Sequence, residues 1–157
     1  MGMFRKRAVD AAKQPSDFES PIVMIRPNLR NRWRSNLSEL SQTLLPSRKG
    51  CLTITEEKLQ QEPSECGAVS LTIVLSHYGC HIPISTIGHA CGVSRDGSDA
   101  ANLVRAAKLF GLEAKGFKKG LQALKTVTLP AILFWNFDHF LVLDGINDKH
   151  YWINDPA

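Results

Sequence analysis

Gly67 to Leu75 reads Gly-Ala-Val-Ser-Leu-Thr-Ile-Val-Leu, with no charge and no polar face on any helical projection. A helix apolar on all sides cannot lie on a surface; the rest of the chain must wrap it. Gly79, just past His77-Tyr78, stands where a helix C-cap would. The head of the helix is Cys66, reached from the polar turn Gln60-Gln61-Glu62-Pro63-Ser64-Glu65. A cysteine at a helix start meets the positive end of the helix dipole and unpaired backbone N–H groups. Both favour the thiolate, which is the nucleophilic form. The element that must form the core therefore also carries a candidate nucleophile on a rigid support.

Downstream, a short helix is expected over Ile84 to Ala90. A third begins near Ser98, which follows Asp96-Gly97 as an N-cap, and its stripe of Leu103, Ala106, Ala107 and Phe110 ends at Gly111. The hydrophobic period then shortens. Leu112–Phe117, Ala131–Phe134, His139–Asp144 and Tyr151–Asn154 read as strands, with a helical turn near Leu121–Lys125. Helices first and strands second is an α+β order, with helices packed on an antiparallel sheet.

Charge divides the chain. Residues 1–50 carry ten Lys/Arg against four Asp/Glu, and residues 51–157 carry nine against eleven, so the net charge of +4 belongs to the N-terminal part. A slightly acidic body argues against nucleic-acid binding. The first fifty residues, with prolines at 15, 21, 27 and 46, read as a basic, flexible extension to a domain at 51–157. Within it Trp33, Leu37, Leu40 and Leu44 recur at helical spacing beside Arg30, Arg32 and Arg34. Such a basic amphipathic helix can lie on an anionic membrane or bind a partner. No apolar run reaches the roughly 18 residues of a membrane span, and no signal peptide is visible. The four cysteines, Cys51, Cys66, Cys80 and Cys91, form no Cys-x-x-Cys pair and no zinc-like spacing with the histidines, and are read as reduced thiols in a cytosolic setting. Cys51, Cys80 and Cys91 are read as packing residues.

A base for Cys66 must come from elsewhere in the chain. His77 lies about three turns up the same helix, roughly 16 Å away. His139 and Asp155 flank a hairpin whose polar turn is Gly145-Ile146-Asn147-Asp148-Lys149. If that hairpin is centred on Asn147, the two residues stand directly opposite, about 4.5–5.5 Å apart at Cβ. The aspartate can then orient the imidazole and stabilise its cation. A register slip of one residue would separate them onto opposite faces. A side-chain amide beside the nucleophile's own N–H would serve the oxyanion, and Gln60 and Gln61 are both available. Read alone, His139 could equally be a core histidine and Asp155 the cap of a turn before Pro156.

These residues resemble the papain-like cysteine peptidases of family 39, the double-glycine leader peptidase domains of peptidase-containing ABC transporters, in the branch that serves ribosomal natural products. The carrying motifs are Gln60-x5-Cys66-Gly67, Ala90-Cys91-Gly92-Val93-Ser94-Arg95-Asp96-Gly97-Ser98, Pro130 through His139-Phe140, and Asn154-Asp155-Pro156-Ala157. The resemblance implies Cys66 as nucleophile, His139 as general base and acid, Asp155 as the orienting residue and Gln60 as the oxyanion donor. It implies removal of a bacteriocin-type leader after a small-residue pair, with no cofactor for cleavage and ATP used only in a transporter partner or further domain. The implied partners are a leader-bearing precursor and ABC-transporter membrane and ATPase components, which would place the domain in the cytoplasm at the inner face of the plasma membrane. Members continue into further strands after the Asp-Pro-Ala segment, so the C-terminal part of the sheet is expected to be truncated here and the His139–Asp155 hairpin left as an open edge. Two other readings fit the same residues: a non-catalytic module that recruits a precursor to an exporter, and a different papain-like amide hydrolase.

Overall fold

The computed structural model describes residues 6–10, 19–27, 52–94, 97–135 and 138–157. In chain order these form β1 (Lys6–Asp10), β2 (Glu19–Pro27), a 3-10 turn (Pro63–Glu65), α1 (Cys66–His77), α2 (Ile84–Cys91), α3 (Ala100–Leu109), β3 (Leu112–Gly120), a second 3-10 turn (Leu121–Thr126), β4 (Ala131–Trp135), β5 (His139–Ile146) and β6 (His150–Asn154). The strands make one six-stranded sheet in the order β1-β6-β5-β4-β2-β3, and every neighbouring pair is antiparallel. This is the expected α+β architecture of helices on an antiparallel sheet.

Both faces of the sheet are covered, and alternation along the strands assigns residues to each. On the helical face Val23, Ile25, Ile132, Phe140 and Val142 pack with α1, Leu103, Ala106 and Ala107 of α3, and Ile87 and Cys91 of α2. On the other face Ile22, Leu133, Leu141, Leu143 and Ile153 close against Leu124, Val127 and Leu129 from the 3-10 turn and the segment after it. All of α1 from Cys66 to Leu75 is buried, as its lack of a polar face requires. Asp99 rather than Ser98 caps α3, its carboxylate accepting from the Asn102 N–H at 2.6 Å.

The reading of residues 1–50 as an extension outside the domain is corrected for two segments. β2 lies inside the sheet, between β4 and β3, and Ile22, Val23 and Ile25 are at most 1% exposed. The run Ile22-Val23-Met24-Ile25 is short and bracketed by Pro21 and Pro27, which hid a strand. Proline is tolerated because neither Pro21 nor Pro27 falls at the three positions, Ile22 to Met24, at which β2 pairs with β4. β1 lies along β6 with Lys6 opposite Asn154 and Asp10 opposite His150. The open edge expected at the His139–Asp155 hairpin is therefore covered by β1. The possible helix around Trp33–Leu44 and the residue Cys51 lie outside the described residues.

The register of the β5–β6 hairpin also differs from expectation. Near the turn Ile146 faces Tyr151 and Gly145 faces Trp152; farther along, Leu143 faces Ile153 and Val142 faces Asn154. Two steps on β5 match one step on β6 at this point, so Asp144 is an extra residue, a β-bulge. His139 and Asp155 are consequently offset along the hairpin instead of directly opposed. The offset is an even number of residues, which leaves the two side chains on a common side.

Candidate active site

The catalytic candidates meet at the rim where the N-terminus of α1 abuts the start of β5. Pro63–Glu65 forms a tight turn whose Glu65 carboxylate accepts from the N–H groups of Gln61 and Glu62 at 3.0 and 3.1 Å. This fixes the entry to α1 and puts Cys66 at its first position, 7% exposed. Gly67 permits the close packing behind the thiol: a Cβ there would fall 2.4 Å from Ser98 Oγ, 3.0 Å from Leu103 Cδ1 and 3.2 Å from Phe140 Cδ2. The second residue of the Cys-Gly pair is thus a steric requirement of the seat of Cys66.

The Cys66 thiol and the His139 imidazole lie close enough to interact both as hydrogen-bonding partners and through charge. Burial opposes the thiolate, but this hydrogen bonding, the N–H groups of Phe140 and Gly67, and the charge of His139 together bring the Cys66 pKa below that of an ordinary thiol. His139 moves the other way, up to about 9, chiefly through its hydrogen bonding with Cys66; burial opposes the shift and Asp155 adds to it. Opposite shifts in contacting groups favour a thiolate–imidazolium pair. The remaining cysteines contrast sharply: burial raises the thiol of Cys80 and pushes that of Cys91 up to about 11.

His139 Nε2 lies 2.7 Å from Asp155 Oδ1, and both side chains are about three-quarters buried, at 25% and 22% exposure. The same Oδ1 accepts from the Ala157 N–H at 3.1 Å. Asp155 therefore caps the turn through Pro156 and holds the imidazole at once, so the two roles open to it from sequence coexist. With Nε2 engaged by the carboxylate, the other ring nitrogen is left to face the thiol.

Gln60 and Gln61 are separated by their surroundings. Gln61 is exposed, whereas Gln60 is partly buried, with its Oε1 enclosed and without a hydrogen-bond partner. The Gln60 backbone N–H donates to the Pro156 carbonyl at 2.8 Å, tying it to the segment that carries Asp155. His77 is far up α1, its ring against Tyr78 and hydrogen-bonded to the Ile54 backbone, and burial lowers its pKa. Among the described residues no cluster of three or more His, Cys, Asp or Glu side chains is arranged to hold a metal ion.

Sequence reasoning missed a buried polar group beside this site. Asp144, Thr55 and Asn154 are 0%, 3% and 1% exposed and hydrogen-bonded together. One signal was available: a carboxylate inside the apolar run His139-Phe-Leu-Val-Leu-Asp144-Gly-Ile146 must find a buried partner.

Residues 56–157 match the Peptidase C39 family. The chain belongs to that family. As a C39 domain it is a cysteine peptidase, and its relatives are bacteriocin-processing transporters. It is 30% identical over 98 residues, 62% of this chain, to the colicin V secretion/processing ATP-binding protein CvaB of Escherichia coli. It is 29% identical over 104 residues to the lactococcin-G-processing and transport ATP-binding protein LagD of Lactococcus lactis. The C39 match spans only 14% and 15% of the length of those two proteins. Among solved structures, a double glycine motif protease from an AMS/PCAT transporter, crystallised with a leader peptide, is 46% identical. The TM-score is 0.65, with 68% of this chain and 76% of that one covered. The peptidase domain of Streptococcus ComA is 26% identical with a TM-score of 0.57, covering 64% of this chain and 77% of that one.

Proposed function

We propose that this C39 domain removes the leader from a ribosomally made bacteriocin-type precursor, cutting after a pair of small residues such as Gly-Gly or Gly-Ala, and that it works with an ABC transporter. The observation that carries the reading is the chain of contacts Cys66–His139–Asp155 at the head of a buried helix. The likeness to a double glycine motif protease bound to a leader supplies the substrate class.

In the mechanism that follows, the Cys66 thiolate attacks the carbonyl carbon after the small pair, and the C=O electrons move to oxygen. The Gln60 side-chain amide and the Cys66 backbone N–H receive that oxyanion. As the tetrahedral intermediate collapses, the C–N bond breaks and imidazolium His139 protonates the leaving amine. Water, deprotonated by His139, then attacks the thioester, the C–S bond breaks, and the leader acid is released with the thiolate–imidazolium pair restored. Asp155 holds the ring through both half-reactions. The step draws on no metal or nucleotide; ATP belongs to the transporter. Recruitment through membrane and ATPase components would place the domain at the cytoplasmic face of the plasma membrane. No helix among the described residues is long and apolar enough to cross a membrane.

The test is mass spectrometry of a double-glycine precursor incubated with the protein and with its Cys66→Ala variant. Cleavage after the small pair is expected for the native protein only, unchanged by EDTA and without added ATP. An intact precursor that still binds the protein would sink the peptidase reading in favour of a recruiting module.

A further inference from the structure

The segment before the Pro63–Glu65 turn has no regular structure of its own, yet it carries Gln60. Residues 52–60 form an arm with no helix or strand. Three attachments hold it to the β5–β6 hairpin. The Thr53 N–H donates to the Asp144 carbonyl at 2.7 Å, and the Gln60 N–H donates to the Pro156 carbonyl at 2.8 Å. Between them lies a buried clasp. Thr55 Oγ1 donates to the Asp144 carboxylate, 2.8 and 2.9 Å from its two oxygens. Asn154 Nδ2 donates to Thr55 Oγ1 at 2.9 Å and to the Glu56 carbonyl at 3.0 Å. The clasp fits the valences of its parts: the hydroxyl gives one proton and accepts one, and both amide protons of Asn154 are used. Gly145 admits the arm, because a Cβ there would meet Leu52 Cδ1 at 2.8 Å.

The members of this clasp sit at informative places. Asp144 is the bulge residue that decides on which side of the hairpin His139 and Asp155 fall. Asn154 immediately precedes Asp155, and Thr55 lies on the arm that leads to Gln60. A carboxylate with no exposed surface is costly to bury, and an apolar residue would fill a strand position more cheaply. What the polar group adds is a fixed geometry between two segments that share no regular pairing.

We propose that Thr55, Asp144 and Asn154 are positioning residues for the peptidase reaction, a buried clasp that holds the Gln60 arm in register with the strand carrying Asp155. This rests on the reading of Gln60 as the oxyanion donor. The clasp touches neither substrate nor Cys66; it acts through the placement of the Gln60 amide. Losing an oxyanion donor costs about 10²–10³ in kcat, and misplacing one costs part of that.

The experiment uses the full chain and two substrates: a double-glycine precursor and p-nitrophenyl acetate, an ester that needs nucleophile and oxyanion hole but no leader groove. Thr55→Val keeps the shape and removes the hydroxyl; Thr55→Ser restores it. The expected result for Thr55→Val is a fall in kcat of about tenfold with KM little changed, recovered in Thr55→Ser, and a further loss of no more than about twofold when Thr55→Val is added to Gln60→Ala. Alkylation of Cys66 by iodoacetamide should keep its native rate and pH dependence, since it needs no oxyanion hole. Should Thr55→Val fail to fold by circular dichroism, Asn154→Ala supplies the same comparison. Native rates in both variants, full multiplication of the two losses, or a change in Cys66 alkylation that parallels the loss would each overturn the clasp. Ester turnover without precursor cleavage in the native protein would overturn the leader-peptidase reading and leave the clasp to be judged on the ester. Absence of Cys66-dependent turnover of either substrate would overturn both.

Discussion

In the proposed mechanism Cys66 and His139 act through a shared proton, and its titration gives the most direct residue-scale test. The reactive pair exists where the thiol has lost its proton and the imidazole keeps one. The Cys66 pKa is lowered and that of His139 raised to about 9, so activity should rise with pH below the ordinary thiol range and fall as pH passes about 9. Asp155 helps hold the imidazolium. Asp155→Asn should therefore bring the alkaline fall to lower pH and reduce kcat, which a pH–rate profile of precursor cleavage would register. An unmoved alkaline limb would mean that the carboxylate does not govern His139. The place of Cys66 at a helix start was legible from its neighbours, because a helix start is a local property. Asp155 was ambiguous because one oxygen serves two partners, the imidazole and the Ala157 N–H, and a sequence names residues without distributing their lone pairs.

Among the elements, α1 was the most legible, since its composition left no alternative to burial. Its exact seat was not. The contact of Gly67 with Ser98, Leu103 and Phe140 joins three distant segments at the back of the nucleophile. Gly67→Ala should thus cost about 1–3 kcal/mol of stability, the usual penalty of overpacking, and should lower kcat by tilting Cys66 from His139. Thermal unfolding and precursor turnover would be measured together; a native melting temperature with native kcat would refute the steric argument. The β5–β6 hairpin was recognised as a unit, but its register was not, because nothing local announces a bulge. A symmetric turn at Asn147 was the simplest reading; the actual turn and the one-residue step at Asp144 together shift the pairing by an even count, which preserves the meeting of His139 and Asp155.

For the whole molecule, the α+β architecture was legible, but the helices-first order was not, since β1 and β2 precede the helices, and neither was the boundary. Residues 56–157 carry the family match, but the sheet also contains β1 and β2. β2 fills cores on both faces, Val23 and Ile25 on one and Ile22 on the other. Each such side chain contributes about 1.5–3 kcal/mol on burial, so three approach the total stability of an ordinary domain. Deleting residues 1–27 is expected to leave the rest poorly soluble and inactive, and a synthetic peptide spanning 6–27 to restore precursor cleavage in trans. A deletion variant with native melting and turnover would contradict the placement of β2. The basic composition of the N-terminal region obscured these strands, since charge is a surface property and β2 is defined by four apolar residues within it. The pairing of β1 with β6 has a consequence for biosynthesis. β1 and β2 leave the ribosome well before β3, β4 and β6 exist to receive them, so the sheet cannot assemble in the order of translation. Long-range pairing of this kind is slow to form, and β2 is the segment most in need of chaperone cover while it waits.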